Sequence, residues 1–493
     1  MSEKQESTKK HVKKLAGQTL IYGLGNILNR AITFLLLPLY TNILSQENFG
    51  SYTLIYTFLG LMNVLYLYGT DAAFMRFFIP ESDDAKRKTI FSTLYSGVLF
   101  STLGISALLL LITPSIAGFF DDSGNQNTYL YLATLILTLD GLSFIPVLTF
   151  RALQKPMRYS AIIFAEVLIN LGLNILFVAV LNYGLEGALW ANVISSLTKL
   201  ILSSFALWGR FEFKIKSTLW REMMSFGLPT MPAVFFAMVT GLADRFILKG
   251  FFNKETVALY GAGYKIGIVM ALVVTAFRFA WQPFFLSISK QDNAKQTYAK
   301  VLTLFVSVAG FVFLIVSHII APFITQPIFG KTLIPPSYEP GMIVIPIVML
   351  GFLIQGIYVN LVVGMYIQKK THLSALFTGA GMLVNLTANY LFFAVFHAPF
   401  YMAAWSFVMA QGAQTLFLYI KSKQFYPVPY EIGKLTLLAV SLAGLYLFPG
   451  LVSWGQIGFW IPVIAYFPIL VLIGIITLSQ VKEIVYKMKR KTA

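Results

Sequence analysis

Long apolar runs separated by short polar connections recur along the whole 493-residue chain. Each run approaches or exceeds the roughly 20 residues that an α-helix needs to cross a bilayer. The pattern therefore predicts an all-α polytopic membrane protein with about 14 transmembrane helices. The predicted spans are 15–43, 51–78, 89–113, 128–151, 159–182, 186–209, 223–250, 256–289, 300–328, 340–367, 371–396, 400–420, 432–450 and 456–479.

The composition supports this class and narrows the chemistry. Hydrophobic residues make up 57% of the chain and charged residues 12%, whereas soluble domains carry about 25% charged residues. The chain has no cysteine, which excludes disulfides and thiolate metal sites. Its four histidines lie far apart in the sequence. We therefore expect no catalytic residues, no metal site and no cofactor other than a coupling ion.

Most of the formal net charge of +17 reflects membrane topology. Of the 37 lysines and arginines, 28 lie in the two tails or in the connections after even-numbered spans. The connections after odd-numbered spans hold three, namely Lys249, Lys254 and Lys331. Because positive residues accumulate on the cytoplasmic side, we expect a multi-pass protein of the cytoplasmic membrane with both termini in the cytoplasm. We expect no nucleic-acid partner, and a monomer.

The chain also repeats itself at an offset near 210 residues. Asn170-Leu-Gly-Leu-Asn174 recurs as Asn385-Leu-Thr-Ala-Asn389, and Trp190 recurs as Trp405, both at an offset of 215. The offset spans six helices, an even number, so the two copies share one orientation in the membrane; chance similarity among apolar helices is the alternative. A parallel repeat of two pseudo-symmetric six-helix lobes is typical of transporters. The predicted segments are a cytoplasmic tail (1–14), a first lobe (15–210), a linker (211–222), a second lobe (223–422), two further helices (423–480) and a basic tail (481–493).

Ten ionisable residues fall inside predicted spans. Each costs about 2.5–3.5 kcal/mol at a helix centre, so we expect these residues to face a cavity or one another. The basic residues outnumber the acidic ones by six to four, which favours an anionic ligand, and arginine suits phosphate. The ten are Arg30, Arg76, Lys199, Arg245, Lys265, Arg278, Asp71, Asp140, Glu166 and Asp244.

Several of these charges have a structural alternative. Arg76 lies near a span end, from which its side chain can reach the interface. An interhelical salt bridge is the alternative for Glu166 and Lys199. Asp244 and Arg245 are adjacent, about 100° apart on a helix, so we expect them not to pair with each other.

Lys265 and Arg278 fall on one predicted span, 256–289. On a continuous helix they lie about 140° apart. We therefore expect one of them to line the cavity and the other to line a lateral opening.

Short motifs along essentially the whole chain resemble those of one family. Leu44-Ser-Gln-Glu-Asn-Phe-Gly50 and Gly69-Thr-Asp-Ala-Ala-Phe-Met-Arg-Phe77 are similar to segments of bacterial polysaccharide flippases, although residues 45–48 lack the usual glycine and proline. Those flippases form the polysaccharide transport branch of the multidrug/oligosaccharidyl-lipid/polysaccharide (MOP) exporter superfamily. The further matching segments are Phe226-Gly-Leu-Pro229 with Asp244-Arg245, Tyr260-Gly-Ala-Gly-Tyr264, and Trp281-Gln-Pro283.

The resemblance implies a V-shaped two-lobe fold with a cationic cavity. It implies that an undecaprenyl-pyrophosphate-linked oligosaccharide is moved from the inner to the outer leaflet by alternating access, while its lipid tail stays in the bilayer. Other polysaccharide-assembly membrane proteins are then expected partners, and coupling to H⁺ or Na⁺ is a further expectation.

Residue roles follow as hypotheses. Asn170, Asn174, Asn385 and Asn389 bind sugar hydroxyls or pack helices. The candidate ion-coupling residues are Asp71, Asp140, Glu166 and Asp244. The candidate substrate-binding residues are Arg30 and Arg278, then Lys265 and Lys199, with Arg76, Arg245, Asn26 and Asn29.

Three other functions remain open from sequence. A cation-coupled multidrug exporter of the same superfamily is expected to have 12 spans and an acid-dominated cavity. A lipid II flippase would share the fold and the span count. A membrane enzyme is disfavoured, because the longest external connection, 113–128, is short and carries Asp121 and Asp122 as its acidic residues.

Overall fold

The computed structural model describes residues 35–328, 330–451 and 457–475. Arg30, Asn26 and Asn29, with most of the first predicted span and both basic tails, lie outside these residues. The described chain is helical almost throughout. One short antiparallel hairpin pairs Pro327–Ile328 with Lys331–Thr332, with Pro327 opposite Thr332.

The helices follow the predicted spans, with interruptions inside several of them. Residues 35–43 are helical. The α-helices that follow are Gln46–Leu67, Thr70–Phe78, Asp84–Ile116, Gln126–Ala152, Pro156–Asn174, Gly184–Ser204, Ser217–Gly227, Met231–Leu242, Asp244–Phe251, Lys254–Gly267, Val269–Ile288, Ala294–Ile315, Ala321–Phe323, Val344–Leu361, Val363–Ile367, Leu373–Tyr390, Met402–Phe425, Ile432–Leu451 and Ile457–Leu472. Tighter 3₁₀ turns are Ala117–Phe119, Leu228–Thr230 and Pro336–Ile343, and wider π-helical stretches are Ile175–Val180, Val316–Ile320 and Leu391–Val395.

Ten helical segments in the described part of the chain are long and apolar enough to cross a membrane. Two further helices, Gly184–Ser204 and Met402–Phe425, lie at predicted spans but are not among the ten. The all-α polytopic prediction is therefore confirmed, while the count of 14 spans stays a prediction.

The described chain forms two compact units. The first comprises the chain up to Ala262 together with Asn389–Phe400, and the second comprises Gly263–Ala388 and the chain from Tyr401 onwards. The first unit thus contains the first helices of the predicted second lobe. The lobe boundaries at residues 210 and 223 follow from the sequence repeat. The division of the chain into two lobes at these residues stays a prediction.

Glycines of the family motifs allow close backbone contacts inside the first unit. A methyl group on Gly50 would overlap the backbone carbonyl of Lys254. Gly69 adopts φ +82°, and a methyl group there would overlap the carbonyl of Gly227. Gly69 also separates the helices Gln46–Leu67 and Thr70–Phe78, which the sequence predicts as one span.

The backbone supports the internal repeat, because matching irregularities recur at an offset of 215. A π-helical stretch begins within two residues after each asparagine motif, at Ile175–Val180 and at Leu391–Val395, and the two end 215 residues apart. Positive φ values, rare outside glycine, recur at Gln154 (+54°), Lys369 (+54°), Asn182 (+57°) and His397 (+47°).

The repeated asparagines lie in the packed interior. Asn174, Asn385 and Asn389 are fully buried. The side-chain amide of Asn174 donates to the carbonyl of Asn170 at 2.8 Å, and Tyr40 donates its hydroxyl to Asn174 Oδ1 at 2.6 Å. These contacts favour the helix-packing role for Asn174 over contact with a sugar.

The glycine contact predicts a stability difference. Gly69→Ala should destabilise the protein by about 1–3 kcal/mol, because the added methyl overlaps Gly227 and the positive φ is strained. Gly104→Ala is the matched control, since nothing lies within 4 Å of its added methyl. Thermal unfolding of the two purified variants in detergent compares them, and equal midpoints would contradict the packing argument.

Candidate functional site

A polar cavity of about 460 Å³ lies in the first unit. It brings together three of the intramembrane charges that the sequence singled out, Asp71, Asp140 and Lys199. Apolar side chains complete its wall. The polar lining residues are Asn63, Asp71, Asp140, Ser143, Arg151, Tyr159 and Lys199.

Lys199 is the centre of an ion cluster beside this cavity. Its ammonium lies 2.7 Å from Asp140 Oδ1 and 2.6 Å from Glu166 Oε1. The three side chains are 13%, 25% and 16% exposed. They come from three helices, Gln126–Ala152, Pro156–Asn174 and Gly184–Ser204. The structure thus has the interhelical salt bridge between Glu166 and Lys199 and adds Asp140 to it.

The charge of this cavity is not cationic. Of the residues that line it, Asp71 and Asp140 balance Lys199 and Arg151, and Glu166, which contacts Lys199 beside the cavity, adds one formal negative charge. The surplus of basic residues counted along the spans is therefore not located here. The polar groups instead form a mixed acid–base network.

Arg151 is a lining residue that the sequence analysis missed. The sequence predicts it at the end of the span 128–151, where it counts among the basic residues expected on the cytoplasmic side. The helix continues to Ala152, and Arg151 in its last turn contributes to the cavity wall. The signal available in the sequence was its position at the span boundary.

A second polar cavity, of about 220 Å³, lies in the second unit. Arg278, from the helix Val269–Ile288, is the charged residue in its wall, and no acidic side chain of the described residues lines it. Side chains with hydroxyl and amide groups share this wall with Arg278. The polar and aromatic lining residues are Arg278, Trp281, Gln282, Tyr358, Tyr366, Thr371 and Ser374.

Lys265 and Arg278 lie on one helical segment, Lys254–Ile288. A single turn residue, Ile268, separates the α-helices Lys254–Gly267 and Val269–Ile288, and its backbone keeps helical dihedral angles. The expectation that one of the two residues lines the cavity and the other a lateral opening stays a prediction. Lys265 is half-buried and is not among the residues that line the Arg278 cavity.

The two polar cavities occupy equivalent positions in the repeat. At the same offset of 215, residues that line the first cavity match residues that line the second. The matched pairs are Ser143 with Tyr358, Phe144 with Val359, Val147 with Val362, Arg151 with Tyr366, and Tyr159 with Ser374. Each half of the chain therefore contributes the same wall to its own cavity.

The ion cluster has no charged counterpart in the second half. At the offset of 215, Asp140, Glu166 and Lys199 correspond to Gln355, Gly381 and Gln414. The helices that carry Gln355 and Gln414, Val344–Leu361 and Met402–Phe425, nevertheless pack closely together, as their first-half equivalents do. The fold therefore does not require charges at these positions.

A third cavity, of about 500 Å³, lies in the second unit and is almost entirely apolar. Its walls are side chains of the helices Ala294–Ile315, Val344–Leu361 and Ile432–Leu451, together with Trp405. It has room for a segment of hydrocarbon chain.

The expectation that Asp244 and Arg245 do not pair is wrong. Arg245 Nη1 lies 2.5 Å from Asp244 Oδ1, and Tyr260 donates its hydroxyl to the same carboxylate. A single turn residue, Ala243, stands between the helices Met231–Leu242 and Asp244–Phe251, and the long arginine side chain folds back to reach the carbonyl of Gly241 at 2.5 Å. Asp244 is fully buried and Arg245 is 4% exposed, which favours the structural alternative for this pair.

Arg76 lies at the surface of the first unit. It stands in the last turn of the helix Thr70–Phe78, and its guanidinium lies 4.2 Å from the ring centroid of Phe226. An exposed cation over an aromatic face fits the interfacial role better than a buried ligand role.

Comparison with known proteins gives matches of sequence and of fold. The family described as "Polysaccharide biosynthesis protein" matches residues 15–289. A protein of the Lsg locus of Haemophilus influenzae is 21% identical over 293 residues, which cover 57% of this chain and 68% of that protein.

Solved structures with a similar fold are transporters. Lipid II flippase MurJ in an inward closed conformation superposes with a TM-score of 0.72 at 12% identity, over 93% of this chain and 97% of MurJ. An inward-facing multidrug resistance MATE family transporter of the MOP superfamily gives 0.60 at 13% identity, over 80% and 94%. A mutant of the Vibrio cholerae MATE transporter VcmN gives 0.61 at 12% identity, over 85% and 98%.

These matches agree with the resemblance seen in the motifs. The similar structures show the fold that MOP-superfamily transporters share, with several helices that can span a membrane in the described part of the chain. The family match covers more than half of the sequence. The chain is therefore a multi-pass membrane protein that belongs to the polysaccharide biosynthesis protein family.

Proposed function

We propose that this protein is a flippase that moves an undecaprenyl-pyrophosphate-linked oligosaccharide from the inner to the outer leaflet of the cytoplasmic membrane by alternating access. The family and the fold support a flippase or transporter of the MOP type. The observation that carries the finer proposal is the Arg278 cavity, whose wall combines one guanidinium with hydroxyl and amide side chains.

Arg278 fits the pyrophosphate of such a substrate. A guanidinium presents paired N–H donors that match two phosphate oxygens. The side chains of Gln282, Thr371 and Ser374 offer donors and acceptors for a sugar hydroxyl next to the phosphate. The apolar cavity of the same unit suits part of the polyprenyl chain.

The membrane potential is a sufficient bias for this transport. A pyrophosphate carries about two negative charges, and each charge gains about 2.3 kcal/mol per 100 mV on moving outward. ATP hydrolysis is therefore not required to drive the substrate in the outward direction.

We also propose that the first cavity takes up a coupling H⁺ or Na⁺ at Asp71, Asp140 and Glu166. The support is the contrast between the repeats, since Gln355, Gly381 and Gln414 occupy the equivalent places in the second half. A buried ion cluster that the fold does not need is costly to retain. A role in the transport cycle accounts for it.

A cation-coupled multidrug exporter is the second candidate function. The carboxylates Asp71 and Asp140 of the first cavity favour it, whereas the Arg278 cavity favours an anionic substrate. The substrate of a lipid II flippase also carries an anionic pyrophosphate. This function therefore differs from the proposed one in the identity of the substrate. Lipid-linked intermediates extracted from the deletion strain distinguish the three functions. A strain that lacks an oligosaccharide flippase accumulates the lipid-linked repeat unit in the inner leaflet.

Removing the guanidinium of Arg278 should impair export without loss of the protein from the membrane. Arg278→Ala should reduce complementation of the deletion strain by about 10- to 100-fold, the value of one or two charge-assisted hydrogen bonds. Arg278→Lys should retain part of the activity, because the positive charge remains. It should not retain all of it, because lysine lacks the paired N–H donors of the guanidinium. Arg221→Ala, an exposed cation outside both cavities, is the control. Normal export by Arg278→Ala would refute the phosphate-binding role.

The repeat contrast gives a test of the ion cluster. Lys199→Gln alone should lower membrane expression, because it leaves two carboxylates close together in the bundle. The triple variant Asp140→Gln, Glu166→Gly and Lys199→Gln copies the second half and should express near the wild-type level. Its transport should lose its dependence on the ion gradient, measured in proteoliposomes with and without a proton or sodium gradient. Gradient-dependent transport by a well-expressed triple variant would overturn the coupling role.

A further inference from the structure

A buried lysine joins the two sequence repeats at one end of the first unit. Lys254 is 5% exposed, and its ammonium lies 2.6 Å from Glu47 Oε1, 3.3 Å from Asp121 Oδ1 and 3.4 Å from Asp122 Oδ2. Lys249 lies 3.9 Å from Asp122. These five residues form one cluster.

Asp121 is the best-held carboxylate of the cluster. It is 1% exposed and accepts hydrogen bonds from Ser51 Oγ at 2.7 Å and from the backbone N–H of Ser123 at 3.0 Å. Burial alone would raise the pKa of Asp121, but the hydrogen bonds from Ser123 and Ser51 and the Lys254 charge outweigh it and lower the pKa. The Lys254 ammonium, 3.3 Å away, is a counter-charge of this buried carboxylate.

The cluster connects segments that belong to different repeats. Glu47, Asp121 and Asp122 lie in the first lobe of the predicted division, whereas Lys249 and Lys254 lie in the second. All five stand in or beside connections after odd-numbered spans. The charge distribution predicts these connections on the extracytoplasmic side of the membrane. Of the three cations predicted on that side, two are in this cluster.

The backbones approach closely at the same point. Gly50 lies against the carbonyl of Lys254 with no room for a methyl group. This contact lets Glu47, one turn earlier on the helix Gln46–Leu67, reach the ammonium. The ionic and the steric contact therefore hold the two repeats together at one level.

We propose that Glu47, Asp121, Asp122, Lys249 and Lys254 form an outer latch, which closes the extracytoplasmic side of the transport path and opens once in each cycle. The proposal rests on the transport function proposed above. Separating the repeats at this end exposes Lys254 and Asp121 to water together, so both regain hydration when the latch opens. The charges of Lys254 and Asp121 keep the latch closed only while both are present.

Thiol accessibility tests the latch without reference to any substrate. The chain has no cysteine, so a single reporter has no background. Thr240 is buried at 3% exposure on the helix Met231–Leu242, which packs on Gln46–Leu67 where a methyl on Gly60 would lie 2.8 Å from Leu242. Thr240→Cys is therefore a reporter for opening between the repeats.

Breaking the latch should expose the reporter to the outside. In intact cells, Lys254→Met should raise labelling of Thr240→Cys by a membrane-impermeant maleimide by at least about fivefold, as the open population grows. Lys254→Arg keeps the charge and should label like the parent. Thr138→Cys, whose site is bonded to Ser106 inside the first repeat, should not change with Lys254→Met and so reports intact folding. Unchanged labelling of Thr240→Cys in a folded Lys254→Met protein would overturn the latch.

Locking the latch should stop transport. Glu47→Cys with Lys254→Cys, joined by a bis-methanethiosulfonate cross-linker through two reducible disulfides, should lose export. A reductant should return export to the level of the same variant before cross-linking. The matched control is Ser106→Cys with Thr138→Cys, a pair whose hydroxyl oxygens lie 2.7 Å apart within one repeat and whose link should leave export intact. Normal export by the cross-linked Glu47–Lys254 pair would refute the proposal. A wrong substrate assignment would remove the export readout and leave the labelling result in place.

Discussion

A charge inside a membrane-embedded helix bundle needs a counter-charge within a few ångströms, and this requirement organises the first unit. Lys199 holds three helices together through Asp140 and Glu166 at 2.7 and 2.6 Å. Lys254 does the same for segments far apart in the chain. Because the side chains of Lys199 and Lys254 are themselves mostly buried, neither ammonium can lose its partners without a large penalty. The charges thus act as positional constraints on the helices as well as chemical groups.

The two polar cavities differ in chemistry although the two halves of the chain build them at equivalent positions. Their walls match position by position in the repeat, yet one contains a balanced acid–base network and the other a guanidinium among neutral donors and acceptors. A net count of charges along the spans cannot reveal this separation. The excess of basic residues in the sequence is an average over regions that differ in sign.

Helix positions, the repeat and the Glu166–Lys199 pair could be predicted from sequence, because apolar run length and the cost of buried charge act locally. The pairing of Asp244 with Arg245 could not, since it depends on how the long arginine side chain folds back along the helix, which angular spacing around a helix does not describe. Arg151 was missed because the helix passes the predicted span end by one residue. The Lys254 contacts depend on tertiary approach at Gly50, which no periodicity encodes.

The π-helical stretches at Ile175–Val180 and Leu391–Val395 bear on the history of the chain. A π turn holds one residue more than an α turn, and such a turn arises most simply from a single-residue insertion. Two separate insertions at matching points are less economical than one insertion in an ancestral half-length protein. The irregularity therefore predates gene duplication, and the divergence of Asp140, Glu166 and Lys199 from Gln355, Gly381 and Gln414 came after it.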